Sequence, residues 1–379
     1  MQNLMKVVFF IMDKTLFSFD YYLKLFPEIE QLKNINQNPK YHKEGNVFIH
    51  TKKVCEQVKK LEQWNNLSNN EKFILYMSCF FHDIGKLICT KLENGEIVSP
   101  KHAIIGAKTF RELIYKVYSE QYNIDFYTRE TIANLIKYHG LPLFFIEKTN
   151  LDYEIIKASQ CVNIQLLYLL AKADLLGRDC DDKENLLNNI ELFKDYCIEL
   201  NCFYNKKQFY NNYTRLLYFN NKNIWYNDEI FDNRKFKVIL MIGIPLSGKD
   251  TYIKENFSNI PIISLDDIRE EFKISPKDSS KKVVTIAKER AKVFLRQKKT
   301  FIWNATNIIK DTRNSLLNLF ISYGAIVEYI YLEVPYKEIL KRYNKRERIV
   351  PINVIDKMIN KMDMVEPYEA DNVLYVLNN

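Results

Sequence analysis

From Phe236 onward the sequence alternates runs of β-branched and aromatic residues with amphipathic stretches, and Lys237–Ile242, Ile260–Leu265, Thr300–Trp303, Ile326–Leu332 and Asn372–Leu377 each read as a strand. Strand, helix, strand at this spacing admits few folds other than a parallel sheet covered by helices. Before that point the texture differs. Apolar residues recur at helical spacing in Ile49–Trp64, Glu71–Phe81, Ala103–Tyr118, Thr128–Tyr138, Val162–Leu176 and Leu186–Leu200, and Ser68 stands where an N-cap is expected. A chain of 379 residues is too long for one ordinary core. Two domains are therefore expected, an all-α domain over residues 1–200 and an α/β domain over residues 236–379. Residues 201–235, rich in Asn, Tyr and Phe and free of Gly and Pro, read as an aromatic linker. Its rings suit interdomain packing or, alternatively, a set of stacking platforms for bases.

All five histidines fall in the first 139 residues. His50, His82, His102 and His139 each sit on or beside a different expected helix; Asp83 follows His82, and Asp174 closes the series. Imidazole plus carboxylate is a ligand set for a first-row divalent metal. The absence of cysteine from the set argues against a structural zinc. In Phe80-Phe81-His82-Asp83-Ile84-Gly85-Lys86 an apolar helix runs into two adjacent ligands and then a glycine that breaks it, which places Lys86 to meet a phosphate. His42 is a weaker candidate for the same site.

Gly243-Ile244-Pro245-Leu246-Ser247-Gly248-Lys249 follows the strand Lys237–Ile242 and opens a helix from Asp250. That context is the one a phosphate-binding loop of the Walker A type needs: backbone N–H groups and a helix N-terminus around the phosphates, with Lys249 adding a full charge. The position usually held by a magnesium-binding Ser or Thr is Asp250, with Thr251 next. Asp250 is a candidate ligand for Mg²⁺, directly or through water, and Thr251 for the α-phosphate. The second strand ends in Ser264-Leu265-Asp266-Asp267-Ile268-Arg269. A carboxylate at the end of a strand beside the loop lies in the crevice where such sheets bind ligands and where an acceptor hydroxyl needs a base; a helix N-cap is the plainer role for Asp267. Lys341-Arg342-Tyr343-Asn344-Lys345-Arg346-Glu347-Arg348 is a basic run at the position of a phosphate-clamping lid.

The ordered set His50, His82-Asp83, His102, His139, Asp174 resembles the HD phosphohydrolase superfamily. Residues 37–51, Tyr138-His139-Gly140 and Ala173–Arg178 are similar to HD domains of tRNA nucleotidyltransferases. The resemblance implies an all-α HD-type domain in which His50, His82, Asp83 and Asp174 hold one metal, while His102 and His139, with Asp83 bridging, hold a second. The implied ions belong to the Mn, Ni, Co, Fe or Zn class. Gly243 to Thr251, Asp266 to Arg269, Phe301-Ile302-Trp303-Asn304-Ala305-Thr306-Asn307 and the arginines before Val350-Pro351 resemble the 5′-OH polynucleotide kinases. By that likeness Asp266 is the general base and Lys249 a phosphate clamp. Gly243, Ser247, Gly248, Asp250 and Thr251 complete the nucleotide loop; Arg269 holds the acceptor phosphate, and Arg342 and Arg346 act on ATP, or another NTP, with Mg²⁺. No acidic residue stands at the end of the Thr300–Trp303 strand, where Asn304 is found.

The fusion of both resembles HD-Pnk end-healing enzymes. These couple 5′ phosphorylation with removal of 2′-, 3′- or 2′,3′-cyclic phosphates from RNA or DNA ends, and a separate ligase is a compatible partner. Two other readings stay open on the residues: an HD nucleotidase fused to a nucleoside or nucleotide kinase, and a nonenzymatic RNA-binding module that senses nucleotide. The excess of 55 basic over 47 acidic residues leans toward a polyanionic partner. No apolar run approaches the ~20 residues of a membrane span. The short apolar stretch after Lys6 runs straight into Asp13 and Lys14 without a cleavage signal. Seven scattered cysteines without a CxxC pair fit a reducing compartment, so a cytoplasmic location is expected.

Overall fold

The computed structural model describes residues 17–122, 124–220, 223–275, 281–345 and 350–377. Arg346 lies outside these residues. The chain divides into two compact units, the first ending at Gln208 and the second beginning at Phe209.

The first unit is helical. Its longer helices are α1 (Phe19–Leu25), α2 (Val47–Val58), α3 (Asn69–Phe81), α4 (His102–Leu113), α5 (Phe126–Tyr138), α6 (Leu151–Ser159), α7 (Ile164–Gly177) and α8 (Lys183–Glu199). Side-chain caps fix several starts: Asn46 accepts from Ile49 N–H, Asp125 from Thr128 N–H and Asn163 from Leu166 N–H. Ser68 and Glu71 form the reciprocal capping box that opens α3. Nearly every residue of α7 is buried, because it runs through the middle of the unit against α2, α3 and α8. Where α7 crosses α2, Gly177 lets the backbones meet; a methyl at 177 would stand 2.7 Å from Val54 Cγ2 and 2.9 Å from Val54 N.

Two local features depart from the helical reading. β1 (Lys91–Glu93) and β2 (Glu96–Val98) form an antiparallel hairpin around Asn94-Gly95, both with positive φ, as a two-residue Asn-Gly turn requires. The C-terminal part of the expected helix Ala103–Tyr118 is a π-helical turn over Ile114–Tyr118.

The second unit is built on a five-stranded sheet ordered β4-β5-β3-β6-β7, all parallel: β3 (Lys237–Ile242), β4 (Ile262–Ser264), β5 (Phe301–Asn304), β6 (Ile326–Glu333) and β7 (Asn372–Leu377). Val238 through Ile242 are buried without alternation, as expected for a central strand covered on both faces. The helices are α9 (Asn212–Asn220), α10 (Lys249–Asn256), α11 (Leu265–Glu271), α12 (Lys281–Arg296), α13 (Lys310–Ser322), α14 (Tyr336–Asn344) and α15 (Ile352–Lys361).

The aromatic segment 201–235 is shared between the units. Phe203 packs its ring 5.9 Å from Tyr168, and Lys207 donates to Leu200 O, both within the first unit. In the second, α9 sets Phe219 4.5 Å from Tyr368, and Arg234 joins Asp232 and Asp371 beneath Tyr213. Tyr204, Tyr210 and Trp225 remain exposed.

Candidate metal centre and phosphate-binding loop

In the first unit five helices and their ends deliver the six predicted ligands to one largely buried cluster. His50 comes from the first turn of α2, His82 and Asp83 from the end of α3, His102 from the start of α4, His139 from the end of α5, and Asp174 from the last turn of α7. His50 Nε2 lies 3.0 Å from Asp174 Oδ1 and 3.3 Å from His82 Nε2, which is 3.2 Å from Asp83 Oδ2. Across the cluster His102 Nε2 lies 3.2 Å from His139 Nε2 and 3.6 Å from Asp83 Oδ1. Asp83 thus faces one histidine pair with each oxygen. Donors ~2.1 Å from an ion are roughly 3 Å apart at neighbouring coordination positions, which matches these separations.

The proton positions make the case sharper. Nδ1 of His82, His102 and His139 donates to the carbonyl three residues earlier, Cys79, Ser99 and Ile136, at 2.7–2.9 Å. Two of these carbonyls are orphaned acceptors in the last turns of α3 and α5. His50 Nδ1 faces Glu44 Oε1 at 2.9 Å. The three rings bonded to carbonyls therefore carry their hydrogen on Nδ1 and turn a bare Nε2 lone pair inward, and the Glu44 carboxylate favours the same tautomer in His50. Lone pairs of His50 and His82, and of His102 and His139, meet head to head, an arrangement that calls for a cation between them.

Electrostatics agree. Burial pushes His139 down to about 3, with His102 and His82 adding to the effect, so this ring is neutral at physiological pH. Burial also lowers His102. His82 runs the other way: burial opposes its charged form, but Asp83, Asp174 and the Cys79 carbonyl together raise it. Burial works to raise Asp83 and Asp174, yet both are held well below the usual carboxylate range, Asp83 by His82 and Lys86, Asp174 by Arg178 and His50. Arg178 grips both oxygens of Asp174 at 3.0 and 2.6 Å. Lys86 is turned inward, 2.8 Å from Asp83 Oδ2 and 2.7 Å from Gln37 Oε1. Gly85 allows α4 to approach: a methyl there would lie 2.1 Å from His102 O and 2.5 Å from Gly106 N.

In the second unit the loop between β3 and α10 adopts the conformations a phosphate cradle needs. Gly243, Leu246 and Gly248 all have positive φ, and a methyl at Gly243 would meet Ser247 Oγ at 2.7 Å. Lys249 Nζ donates to the carbonyls of Gly243 and Ile244 at 2.9 and 3.0 Å, which stretches the ammonium across the loop. Asp250 and Thr251 lie exposed in the first turn of α10. Arg342, on α14, reaches Leu246 O at 3.0 Å and Glu338 at 2.9 Å.

The strand next to the loop is β5, ending in Asn304, rather than β4 as the chain order suggested. Asp266 therefore stands two strands away, roughly 10 Å at sheet spacing. The cap of α11 is Ser264, whose Oγ accepts from Asp267 N–H at 3.2 Å, so neither aspartate serves as the cap and both carboxylates are exposed. Arg269 donates to Ser275 O at 3.2 Å.

Glu44, Gln37 and Arg178 went unassigned in the sequence. Their signals are faint: Glu44 and Gln37 lie in the same segment as His50, and Arg178 lies one turn after Asp174.

Residues 238–365 match the AAA domain family. Among solved structures, a candidate kinase from Chloroflexus aurantiacus is 17% identical, covers 38% of this chain and 86% of its own, and superposes with a TM-score of 0.31. No helix among the described residues is long and apolar enough to cross a membrane. With its parallel sheet and its strand–loop–helix around Lys249, the second unit is a P-loop nucleotide-binding domain of kinase-like fold.

Proposed function

We propose that the chain is a bifunctional nucleic-acid end-healing enzyme. Its second unit transfers phosphate from ATP or another NTP to 5′-OH ends of RNA or DNA. Its first unit removes 2′-, 3′- or 2′,3′-cyclic phosphates. The observation that carries the hydrolase half is the pair of facing Nε2 lone pairs, one against each oxygen of Asp83. His50, His82, Asp83 and Asp174 would hold one divalent ion, and Asp83, His102 and His139 a second. Such ions lower the pKa of an attacking water and draw charge off the phosphate. Lys86 and Arg178 fix the two carboxylates.

In the kinase half the loop amides and Lys249 hold the triphosphate, and Arg342 with Arg346 clamp it. Asp266 takes the proton of the 5′-OH as its oxygen attacks the γ-phosphorus and the bond to the β–γ bridging oxygen breaks. Its distance from the loop supports this role, since an acceptor must fit between base and donor. Arg269 would hold the acceptor-side phosphate. Exposed Trp225, stacked on Tyr226 at 4.7 Å, suits contact with a base.

The test uses 5′-OH oligonucleotides of RNA and DNA beside free nucleosides, and 3′-phosphate and 2′,3′-cyclic ends with Mn²⁺, Ni²⁺ or Co²⁺ added. Phosphorylated oligonucleotides and cleared ends are expected. Phosphorylation of nucleosides alone would move the substrate to nucleotide pools.

A further inference from the structure

Asn304, the last residue of β5, donates its side-chain amide to Asp250 Oδ1 at 2.8 Å. Its own Oδ1 is buried and has no hydrogen-bond partner, while the Asp250 carboxylate is exposed beside the phosphate loop. In P-loop enzymes the cation on the nucleotide is held by a hydroxyl directly after the loop lysine and by a carboxylate from a neighbouring strand. Here the two chemistries stand in each other's places. The carboxylate follows Lys249, and a neutral amide ends the strand beside the loop.

Taking the second unit to be an NTP-dependent kinase, we propose that Asp250 and Asn304 form its Mg²⁺ seat jointly, with charge exchanged between loop and strand. Both arrangements offer one carboxylate and one neutral oxygen, so the charge presented to a magnesium triphosphate is the same. The neutral partner also needs two faces. Without a cation, Asn304 satisfies Asp250 through its N–H and leaves its oxygen orphaned. A half-turn about its terminal torsion, which is soft, presents that oxygen to a hard cation beside Asp250. Aspartate at 304 could offer no N–H and would set two carboxylates against each other.

The test is ADP binding to the full chain by calorimetry, with and without Mg²⁺, the readout being the ratio of the two Kd values. The wild type is expected to show a ratio of about tenfold or more. Asp250→Ser and Asn304→Leu should each cut that ratio several-fold. Asn304→Asp alone should weaken Mg²⁺-free binding through repulsion with Asp250. The double variant Asp250→Ser/Asn304→Asp, which restores the common arrangement, should return to within about twofold of wild type, and its recovery also shows that the single changes did not act by unfolding. A wild-type ratio in Asp250→Ser, or a double variant no better than Asp250→Ser, overturns the assignment and leaves the kinase reading intact. A wild type that binds no nucleotide overturns both.

Discussion

Glu44 Oε1 lies 2.9 Å from Nδ1 of His50, behind the edge that the ring turns to the His–Asp cluster. The same oxygen accepts from His42 Nδ1 at 2.8 Å, and Glu44 Oε2 accepts from Asp179 N–H at 2.9 Å. Burial alone would raise this carboxyl, but His42, His50 and Asp179 hold it well below its usual range. A charged acceptor behind a ligating imidazole raises its basicity. Glu44→Gln keeps the shape and removes the charge, so metal affinity should fall by about 10–100-fold. Chelator competition on the purified chain measures this, with 5′ phosphorylation as the unaffected control. Unchanged affinity would reduce Glu44 to a structural tie.

His82→Ala and Asp83→Asn should each strip bound metal and abolish phosphate removal while sparing the kinase, because the two sites belong to separate compact units. Elemental analysis alongside both end assays decides it. Loss of kinase activity in a folded variant would count against two independent sites.

Lys249→Ala and Asp266→Asn should each cost ~10²-fold or more in 5′ phosphorylation. Since Ser264 already caps α11, Asp266→Asn is expected to leave the melting temperature nearly unchanged, which separates chemistry from folding. Near-normal activity would pass the base role to Asp267.

Gly85→Ala tests the tight seam between the end of α3 and the start of α4. The added methyl meets backbone atoms, which cannot swing aside as a side-chain tip can. Destabilisation of about 1–3 kcal/mol or more is expected, seen as a lower midpoint in thermal unfolding. Metal retention should fall with it, since His82 and His102 stand on either side of the seam.

Much of this molecule is legible in its sequence because local chemistry and fold agree. The β-branched runs Lys237–Ile242 and Asn372–Leu377 are strands over the same residues, and Ser68 caps its helix as its spacing to Glu71 implies. The clustering of the six residues could be read because histidine is scarce here and its members stand beside helix ends. What sequence does not carry is lateral order. Nothing local in Ile260–Leu265 or Thr300–Trp303 says which strand adjoins the loop, so the Asp250–Asn304 contact emerges only from the folded sheet. Glu44 was hidden for a related reason: its role depends on a fold-back onto His50 that no periodicity announces. The hairpin at Asn94-Gly95 is too short to interrupt a helical texture.

The crossing of Gly177 over Val54 reaches further than packing. Asp174 lies one turn before Gly177, and His50 one turn before Val54, so the bare glycine acts as a caliper whose jaws are two candidate metal ligands. The 3.0 Å between His50 Nε2 and Asp174 Oδ1 is the gap it sets. Opening the crossing by one methyl would widen that gap before it changed any ligand, and so shift preference from smaller ions toward larger ones. An ion held there would find the width of its seat set by the thickness of a helix.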